Sequence, residues 1–375
     1  MAARAFWLAW SQVSGIGSVA IRRLDEHFGS LELAWEASYQ ELLAVSGIGE
    51  QTAASVVQDR RQIDPEQLLT QHQQRNPQFW TLIDPDYPRW LLEIPDAPPI
   101  LYYQGQIEPS ENQGLQPAVA IVGTRKPSDY GRRWARRLSA ALAQSGITVV
   151  SGLADGIDTE AHQSCLDAGG RTIAVMGTGL DIVYPQFNRT LAEQVARQGL
   201  LLSEHPAGIP PDRVHFPRRN RIIAGLCRAT LVIEAPQKSG SLITARLANE
   251  YGREVYALPG TLDNYRATGC LSLIAQGAQV ILGETELLKM LGTLPPLLKP
   301  QERSQELMAA PDPQLNSELD PELQQVFQAV TLEPIAVDLI MQQAGLATGT
   351  ALSALAQLEL MGLISQLPGM RYQRG

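Results

Sequence analysis

The run Phe216-Pro217-Arg218-Arg219-Asn220-Arg221 puts three guanidinium groups within four residues, beside an aromatic ring and just ahead of the apolar Ile222-Ile223-Ala224. Arginine forks match the paired oxygens of a phosphate, and a ring such as Phe216 can stack on an unpaired base. The combination suits a charged polymer with flat bases. The same residues would also suit a solvated helix N-terminus carrying surface arginines. Three further segments offer anion-holding chemistry. In IVGTRKPSDYG (121–131) the N–H groups of the Gly123-Thr124-Arg125 turn and the Thr124 hydroxyl can hold a phosphate that Arg125 neutralises. In SGLADGIDTEAH (151–162), Ser151 and Gly152 begin a second tight turn. In QKSGSLITA (237–245), Lys238 adds a point charge, and Ser239, Gly240 and Ser241 open a helix N-terminus. A fourth turn, GTGLDIVYPQFN (177–188), belongs to the same class.

These turns follow apolar runs. VAIVG (119–123), ITVVSG (147–152), RTIAVMGTG (171–179), GLLLSE (199–204), ATLVIEA (229–235), REVYALPG (253–260) and AQVILG (278–283) alternate with helical patterns. Near-continuous apolar strands require a sheet buried on both faces, hence a mostly parallel, doubly wound α/β domain of Rossmann type. Its carboxyl edge, where the glycines gather, is where open parallel sheets bind ligands. The first turn lacks the second and third glycines of the dinucleotide fingerprint, and no GKS or GKT marks a nucleotide triphosphate loop. Four segments on one edge fit a single strand of DNA or RNA better than one mononucleotide. Asp155 or Asp158 is expected to cap the helix after Gly156, and His162 to pack within it. Glu234 is expected to end its strand.

Ahead of this domain, SQVSGIGSVAIRRL (11–24) is echoed by LAVSGIGEQTAASVV (43–57), with the SGIG turns 32 residues apart. This pattern resembles a tandem helix-hairpin-helix, in which turn N–H groups meet DNA phosphates. A small bundle with tight turns is the alternative. Basic support is thin: Arg22 and Arg23 after the first turn, Arg60 and Arg61 after the second. The domains expected are 1–75 (helical), 76–291 (the extended Rossmann-like domain), 292–318 (a linker rich in Pro, Gln and Glu) and 319–375. The last has helices near 321–330, 335–344 and 348–361 and a hairpin around Pro368-Gly369, a winged-helix order. Its third helix carries no basic residue, and the tail has Arg371 and Arg374 against five acids, so protein contact or autoregulation is favoured over DNA reading.

The 375 residues carry a net charge of −9, yet residues 115–285 hold 18 Lys and Arg against 14 Asp and Glu. A mildly basic middle inside an acidic chain permits a local basic pocket and disfavours broad coating of duplex DNA. Cys165, Cys227 and Cys270 are too few and too dispersed for a disulfide framework or a zinc site, which suits a reducing cytoplasm. No apolar run reaches membrane-span length, and no cofactor or metal is expected.

Taken in order, IVGTRKPSDYG, VVSGLADGIDTEAH, GTGLDIVYPQFN, SEHPAG, FPRRNRIIAGL, LVIEAPQKSGSLITARLANEYGREVYALPG and LIAQGA resemble the DNA-processing protein A family (DprA, also called Smf) over about 118–280. The resemblance implies a dimeric, non-catalytic protein that binds single-stranded DNA, protects it and loads the RecA recombinase during natural transformation. It implies that Gly123, Thr124 and Arg125 cradle phosphate and that Arg219, Arg221 and Lys238 line a basic pocket. Phe216 would supply the aromatic contact, and Ser239, Gly240 and Ser241 the donors. Arg218 and Asn220 belong to the same motif. One departure is RATGCLSLI (266–274), where Leu271 stands in place of a common Asn. The competing reading is a nucleotide-binding enzyme of the phosphoribohydrolase (lysine-decarboxylase-like) type. Its PGGxGTxxE signature is absent from APQKSGSLITA. Leu282, Leu287 and Leu288 are candidates for self-association or for the core.

Overall fold

The computed structural model describes residues 2–292, 321–331, 335–346, 348–360, 363–367 and 371–374. The chain divides into two compact units, Met1–Leu297 and Leu298–Gly375. The expected linker, apart from Gly292 at the end of a helix, lies outside the described residues, as does the turn of the C-terminal hairpin.

The first unit begins with six helices: α1 (Ala2–Ser11), α2 (Ser18–Phe28), α3 (Leu31–Glu36), α4 (Tyr39–Leu43), α5 (Glu50–Arg60) and α6 (Pro65–Arg75). The two SGIG turns join α1 to α2 and α4 to α5, with Gly15 at φ +79° and Gly47 at φ +87°, where a side chain would be strained. The hairpins clasp each other. The Ser14 N–H donates to the Asp59 carboxylate at 2.9 Å, and Arg23 donates to Ser46 O at 3.0 Å. Arg22 and Arg60 face inward, while Arg61 is exposed. Arg22 donates to Leu92 O and Ile94 O, both at 2.7 Å, and Arg60 to the carbonyls of Trp35 and Ala37. Three of the four arginines beside these turns therefore hold carbonyls within the fold, and a carboxylate already sits on the first turn. Both hairpins form tight turns within a helical bundle. Trp10 and Trp35 anchor that bundle edge to face at 5.2 Å, and the core runs on into Phe79, Ile100 and Tyr102 of the neighbouring sheet.

The sheet has nine strands: β1 (Phe79–Thr81), β2 (Ile100–Gly105), β3 (Ala118–Val122), β4 (Thr148–Ser151), β5 (Thr172–Met176), β6 (Leu200–Ser203), β7 (Ala229–Val232), β8 (Glu254–Ala257) and β9 (Gln279–Val280). Their spatial order is β1-β2-β6-β5-β4-β3-β7-β8-β9. All pairs from β6 to β9 are parallel, while β1 and β2 add an antiparallel edge. The short helices α7 (Arg89–Leu92) and α8 (Pro109–Asn112) lie between β1 and β3. Six longer helices follow: α9 (Asp129–Gln144), α10 (Ile157–Asp167), α11 (Arg189–Gln198), α12 (His215–Leu226), α13 (Ser241–Glu250) and α14 (Thr268–Ala275), with α15 (Glu284–Gly292) last.

Strand periodicity sorts the core. On β3, Val119 and Ile121 face one way, against Leu138 and Leu142 of α9 and Ile157 and Ala161 of α10. Ala118, Ala120 and Val122 face the other way, against Ile222 and Ile223 of α12 and Ala245 of α13. The sheet is thus covered on both faces, as its apolar strands require. The final strand is shorter than the apolar run 278–283 suggests: Leu282 is 75% exposed, whereas Leu287 is buried in the core.

His162 packs inside α10 as expected. Its Nδ1 lies 2.7 Å from Thr172 Oγ1, which itself donates to Val149 O, so Nδ1 carries the proton. Burial, with the nearby Arg219 charge, pushes its pKa down to about 3. A depressed histidine contributes stability that is complete above about pH 6.5 and is lost as pH falls towards the folded value. Wild type is therefore expected to lose roughly 2–3 kcal/mol more than His162→Leu between pH 7.5 and 4.5. Urea unfolding at the two pH values measures this, and equal losses would remove His162 from the acid response.

The second unit is a small winged helix. Helices Pro321–Ala329, Val337–Ala344 and Thr348–Leu360 pack on a three-stranded antiparallel sheet, β10 (Ile335–Ala336), β12 (Arg371–Arg374) and β11 (Ile364–Leu367) in that spatial order. Its core gathers Phe327, Ile340, Leu355, Leu358 and Tyr372. Among the described residues no helix is long and apolar enough to cross a membrane, and no group of His, Cys, Asp and Glu could hold a metal ion. The three cysteines are free and buried.

Candidate nucleic-acid interface

β3 is the switch point of the sheet. The chain leaves it through α9 to β4 on one side, and returns through α12 to β7 on the other. Ligands of open α/β sheets sit in the crevice this creates at the carboxyl ends.

The Gly123-Thr124-Arg125 turn fills that crevice and is clamped on both sides. Thr124 N–H donates to Glu234 O at 2.7 Å, and Thr124 O accepts from the Ile157 N–H at 3.2 Å. A Cβ on Gly123 would come within 2.5 Å of Ile157, and one on Gly156 within 2.4 Å of Thr124 O. The Thr124 hydroxyl accepts from the Lys126 N–H at 3.2 Å. Arg125 and Lys126 are left exposed at the tip.

Glu234 does more than end its strand. Its buried carboxylate accepts from Ser128 N–H at 2.8 Å, from Ser128 Oγ at 2.5 Å and from Asn264 Nδ2 at 3.2 Å. It therefore occupies the positive N-terminus of α9, where a dinucleotide fold would hold a phosphate. Gly131 is needed because a Cβ there would lie 2.5 Å from that carboxylate. The sequence signal for this was Ser128 three residues ahead of Gly131, a cap with glycine where a capping box would carry Glu or Gln.

The arginines of α12 part ways. Arg219 is buried beneath the second turn and donates to Gly152 O at 2.7 Å and to Val175 O. Gly152 has no room for a side chain, since a Cβ would lie 2.5 Å from the guanidinium. Asp158 takes the Gly152 and Ala154 N–H groups at 3.1 and 3.3 Å, making it the carboxylate of this turn, while Asp155 binds only its neighbour Gly156. Burial pushes Asp158 up to about 6 against the pull of Arg219 and those N–H groups, and burial likewise lowers Arg219 to about 10. Arg221 is buried in a two-pronged pair with Glu204 at 2.8 and 2.7 Å, and also donates to Asp96 O at 3.0 Å. Burial opposes ionisation of Glu204, but Arg221 overcomes it and holds the carboxyl below its usual range. Both arginines were expected to line the pocket; Arg219 is drawn inside instead, onto the Gly152 and Val175 carbonyls, whereas Arg221, paired with Glu204, borders a cavity that Arg218 also lines. Ser151 is likewise buried, with its hydroxyl on Ile121 O at 2.6 Å.

Arg218, on the outer side of the same helix, is exposed. Asn220 ties α12 to the next loop by donating to Gly240 O at 3.2 Å. There the Ser239 and Ser241 hydroxyls bond each other at 2.7 Å at the start of α13, and Lys238 is exposed. Lys238 borders a cavity of about 790 Å³ and Arg218 one of about 730 Å³; both cavities reach Ile243 and Arg246 of α13. Phe216 is half-buried in the first turn of α12, and the Arg125 guanidinium lies 5.5 Å from its ring centroid. Exposed on the carboxyl-end turns are therefore Arg125, Lys126 and Lys238, with Arg218 exposed on α12; of these, Arg125 lies against Phe216. Tyr184, missed in the sequence, stands beside that ring with centroids 5.6 Å apart.

The model for DNA recombination-mediator protein A matches residues 78–292, which span the whole of this sheet and its turns. The chain belongs to the DNA recombination-mediator protein A family. The DprA winged helix domain matches 310–370 and the helix-hairpin-helix motif 12–60. Among relatives, Protein Smf of Synechocystis sp. is 50% identical over 99% of this chain and 98% of its own length. The DNA processing protein DprA of Streptococcus pneumoniae is 43% identical over 59% of this chain and 76% of its own. The crystal structure of that DprA superposes with a TM-score of 0.67 at 36% identity, covering 76% of this chain and 97% of the other. The Helicobacter pylori DNA processing protein A, whose structure describes a single-stranded-DNA binding mode, superposes at 0.52 with 32% identity, covering 57% of this chain and 95% of the other.

Within the DprA frame, Phe216 faces Gly177 on one side and Arg125 on another. A ring so placed can hold the Arg125 guanidinium. Phe216→Ala is expected to weaken single-strand affinity by about 0.5–2 kcal/mol. In Arg125→Ala it should have no additional effect, because its contribution runs through that side chain. A double-mutant cycle by fluorescence anisotropy measures the coupling; additive losses would make Phe216 an independent contact.

Proposed function

We propose that this chain is a non-enzymatic recombination mediator: it binds and protects single-stranded DNA in the cytoplasm, acts as a homodimer, and loads the RecA recombinase onto the strand during natural transformation. The observation that carries the reading is the exposed Arg125 lying against Phe216, itself beside Tyr184, with Lys126, Arg218 and Lys238 exposed on the carboxyl-end turns and α12. Separate point charges suit successive phosphates of a flexible strand, and rings suit unpaired bases. The Helicobacter pylori relative supports the choice of single-stranded DNA.

Glu234 weighs against the phosphoribohydrolase alternative. Both of its oxygens are engaged by Ser128 and Asn264 within the fold, so it is not placed as a base facing a substrate. It also fills the helix N-terminus that a mononucleotide phosphate would use. Leu282, Leu262 and Tyr265, exposed by 75, 86 and 60%, offer apolar surface for a second copy.

The test is anisotropy of labelled oligo-dT and a matched duplex across a salt series, with RecA nucleation on the strand as a second readout. Tight, salt-sensitive binding that prefers the single strand, together with faster RecA nucleation, is expected. Equal binding to duplex, or release of free base from a nucleotide, would overturn the reading.

A further inference from the structure

The outer face of α9 carries charge that the carboxyl-edge site does not use. Its 16 residues include Arg132, Arg133, Arg136 and Arg137 against one acid, Asp129, in the first turn. Gly131, Ala135, Leu138, Ser139 and Leu142 turn into the core, which leaves Arg133, Arg136 and Arg137 exposed along the outer side. Neighbouring elements neutralise this charge in part. Arg132 and Arg136 share a single carboxylate, Glu160, at 2.9 and 2.5 Å, and Arg137 grips Glu284 at 2.5 and 3.0 Å. Arg133 has no ion pair among the described residues, and its guanidinium lies 5.8 Å from the centroid of the Tyr130 ring. Arg137 lies 4.6 Å from the centroid of Trp134. The two half-buried rings meet edge to face at 6.3 Å, and Tyr130 Oη donates to Pro259 O at 2.9 Å. Rings tied down in this way steady the guanidiniums above them, so less side-chain freedom is lost when an anion binds. Stability does not account for the set, because ion pairs whose arginines are 42, 58 and 52% exposed contribute little.

This face lies across the sheet from α12 and α13. α9 packs with Val119 and Ile121 of β3, whereas α12 and α13 pack with Ala120 and Val122. The two surfaces are joined over the carboxyl edge, since α9 begins shortly after the Gly123-Thr124-Arg125 turn. Lys126 is exposed at that join, and Arg266 donates to its carbonyl at 2.8 Å.

We propose that the outer face of α9 is a second contact surface for the single strand: a track of phosphate contacts, centred on Arg133 and Arg136, that takes up the strand after it has passed over the carboxyl edge by Lys126. The inference rests on the single-strand reading above and extends it to the other side of the sheet. Arginine forks suit phosphate oxygens. The crest of a helix gives a base no enclosure, so contact there runs through the backbone and is indifferent to sequence. Its contribution is therefore salt-dependent, and it is felt by strands long enough to reach past the edge.

The test is anisotropy of labelled oligo-dT of about 6 and about 25 nucleotides, near the lower end of and beyond the usual span of one single-strand site. Wild type is compared with Arg133→Ala plus Arg136→Ala and with Arg133→Lys plus Arg136→Lys, each across a salt series and each checked by thermal unfolding. The alanine pair is expected to bind the long oligomer roughly tenfold more weakly, with the salt slope lowered by about 1.4, and to bind the short one like wild type. The lysine pair should keep most of the slope. Wild-type binding of the long oligomer by the alanine pair overturns the proposal, as do equal losses on both lengths. A lysine pair as weak as the alanine pair overturns it too, by making the arginines packing groups. A lower oligomeric state of the alanine pair in sedimentation would make the face an interface between copies instead. In each case the single-strand reading stands while Arg125→Ala still weakens binding of the short oligomer. If wild type binds neither oligomer, both fall together.

Discussion

Replacing Arg125 and Arg218 together by alanine is expected to weaken binding of oligo-dT by about a hundredfold at physiological salt, taking hydrogen bonds to charged groups at about 1.5–3 kcal/mol each and discounting them for solvent screening. The slope of log affinity against log salt should fall by about 1.4, because each phosphate released from a single strand is worth about 0.7. Both residues are exposed, and neither has an ion pair among the described residues, so their loss should leave the melting temperature nearly unchanged. This separates them from their neighbours in the same motif. Anisotropy over a salt series measures the effect. A wild-type slope in the double variant would place the strand elsewhere, with the cavity beside Lys238 and Arg246 the next surface to test.

Arg219→Ala is expected to act on stability instead, at about 3–5 kcal/mol, the cost of removing one member of a buried charged set. Arg219 is 4% exposed, and its guanidinium holds the Gly152 and Val175 carbonyls and is the positive charge acting on the buried Asp158. Without it those carbonyls lose their donors and the carboxyl loses its counter-charge. Combining Arg219→Met with Asp158→Asn should recover part of the loss, since the pair is then removed as a whole. Chemical denaturation of the three proteins measures the set. If Arg219→Ala unfolds like wild type yet no longer binds the single strand, Arg219 is a DNA ligand and the internal assignment is wrong.

Much of the architecture was legible in the residues themselves. Apolar strands such as Ala118–Val122 and Thr172–Met176, each ending near a glycine, announce a parallel sheet with a working carboxyl edge, because only burial on both faces tolerates such runs. The duplicated SGIG turns announced two hairpins, and Ser128 the start of α9, because caps and positive-φ turns are local requirements. The seven ordered motifs pointed to the family.

The division of labour among the arginines was decided only by tertiary structure. Arg218, Arg219 and Arg221 are near neighbours in sequence, yet one meets solvent, one meets Gly152 and Asp158, and one meets Glu204 and Asp96. Their fates follow from the phase of α12 against the sheet, together with carboxylates and carbonyls supplied by other elements. The same holds for Glu234, whose carboxylate reaches a helix that begins more than a hundred residues earlier, and for Tyr184, which gains meaning only beside Phe216. A sequence specifies which groups can bind an anion. Whether the protein's own carboxylates and carbonyls have already taken those groups depends on contacts between distant segments, and only the folded chain brings these together.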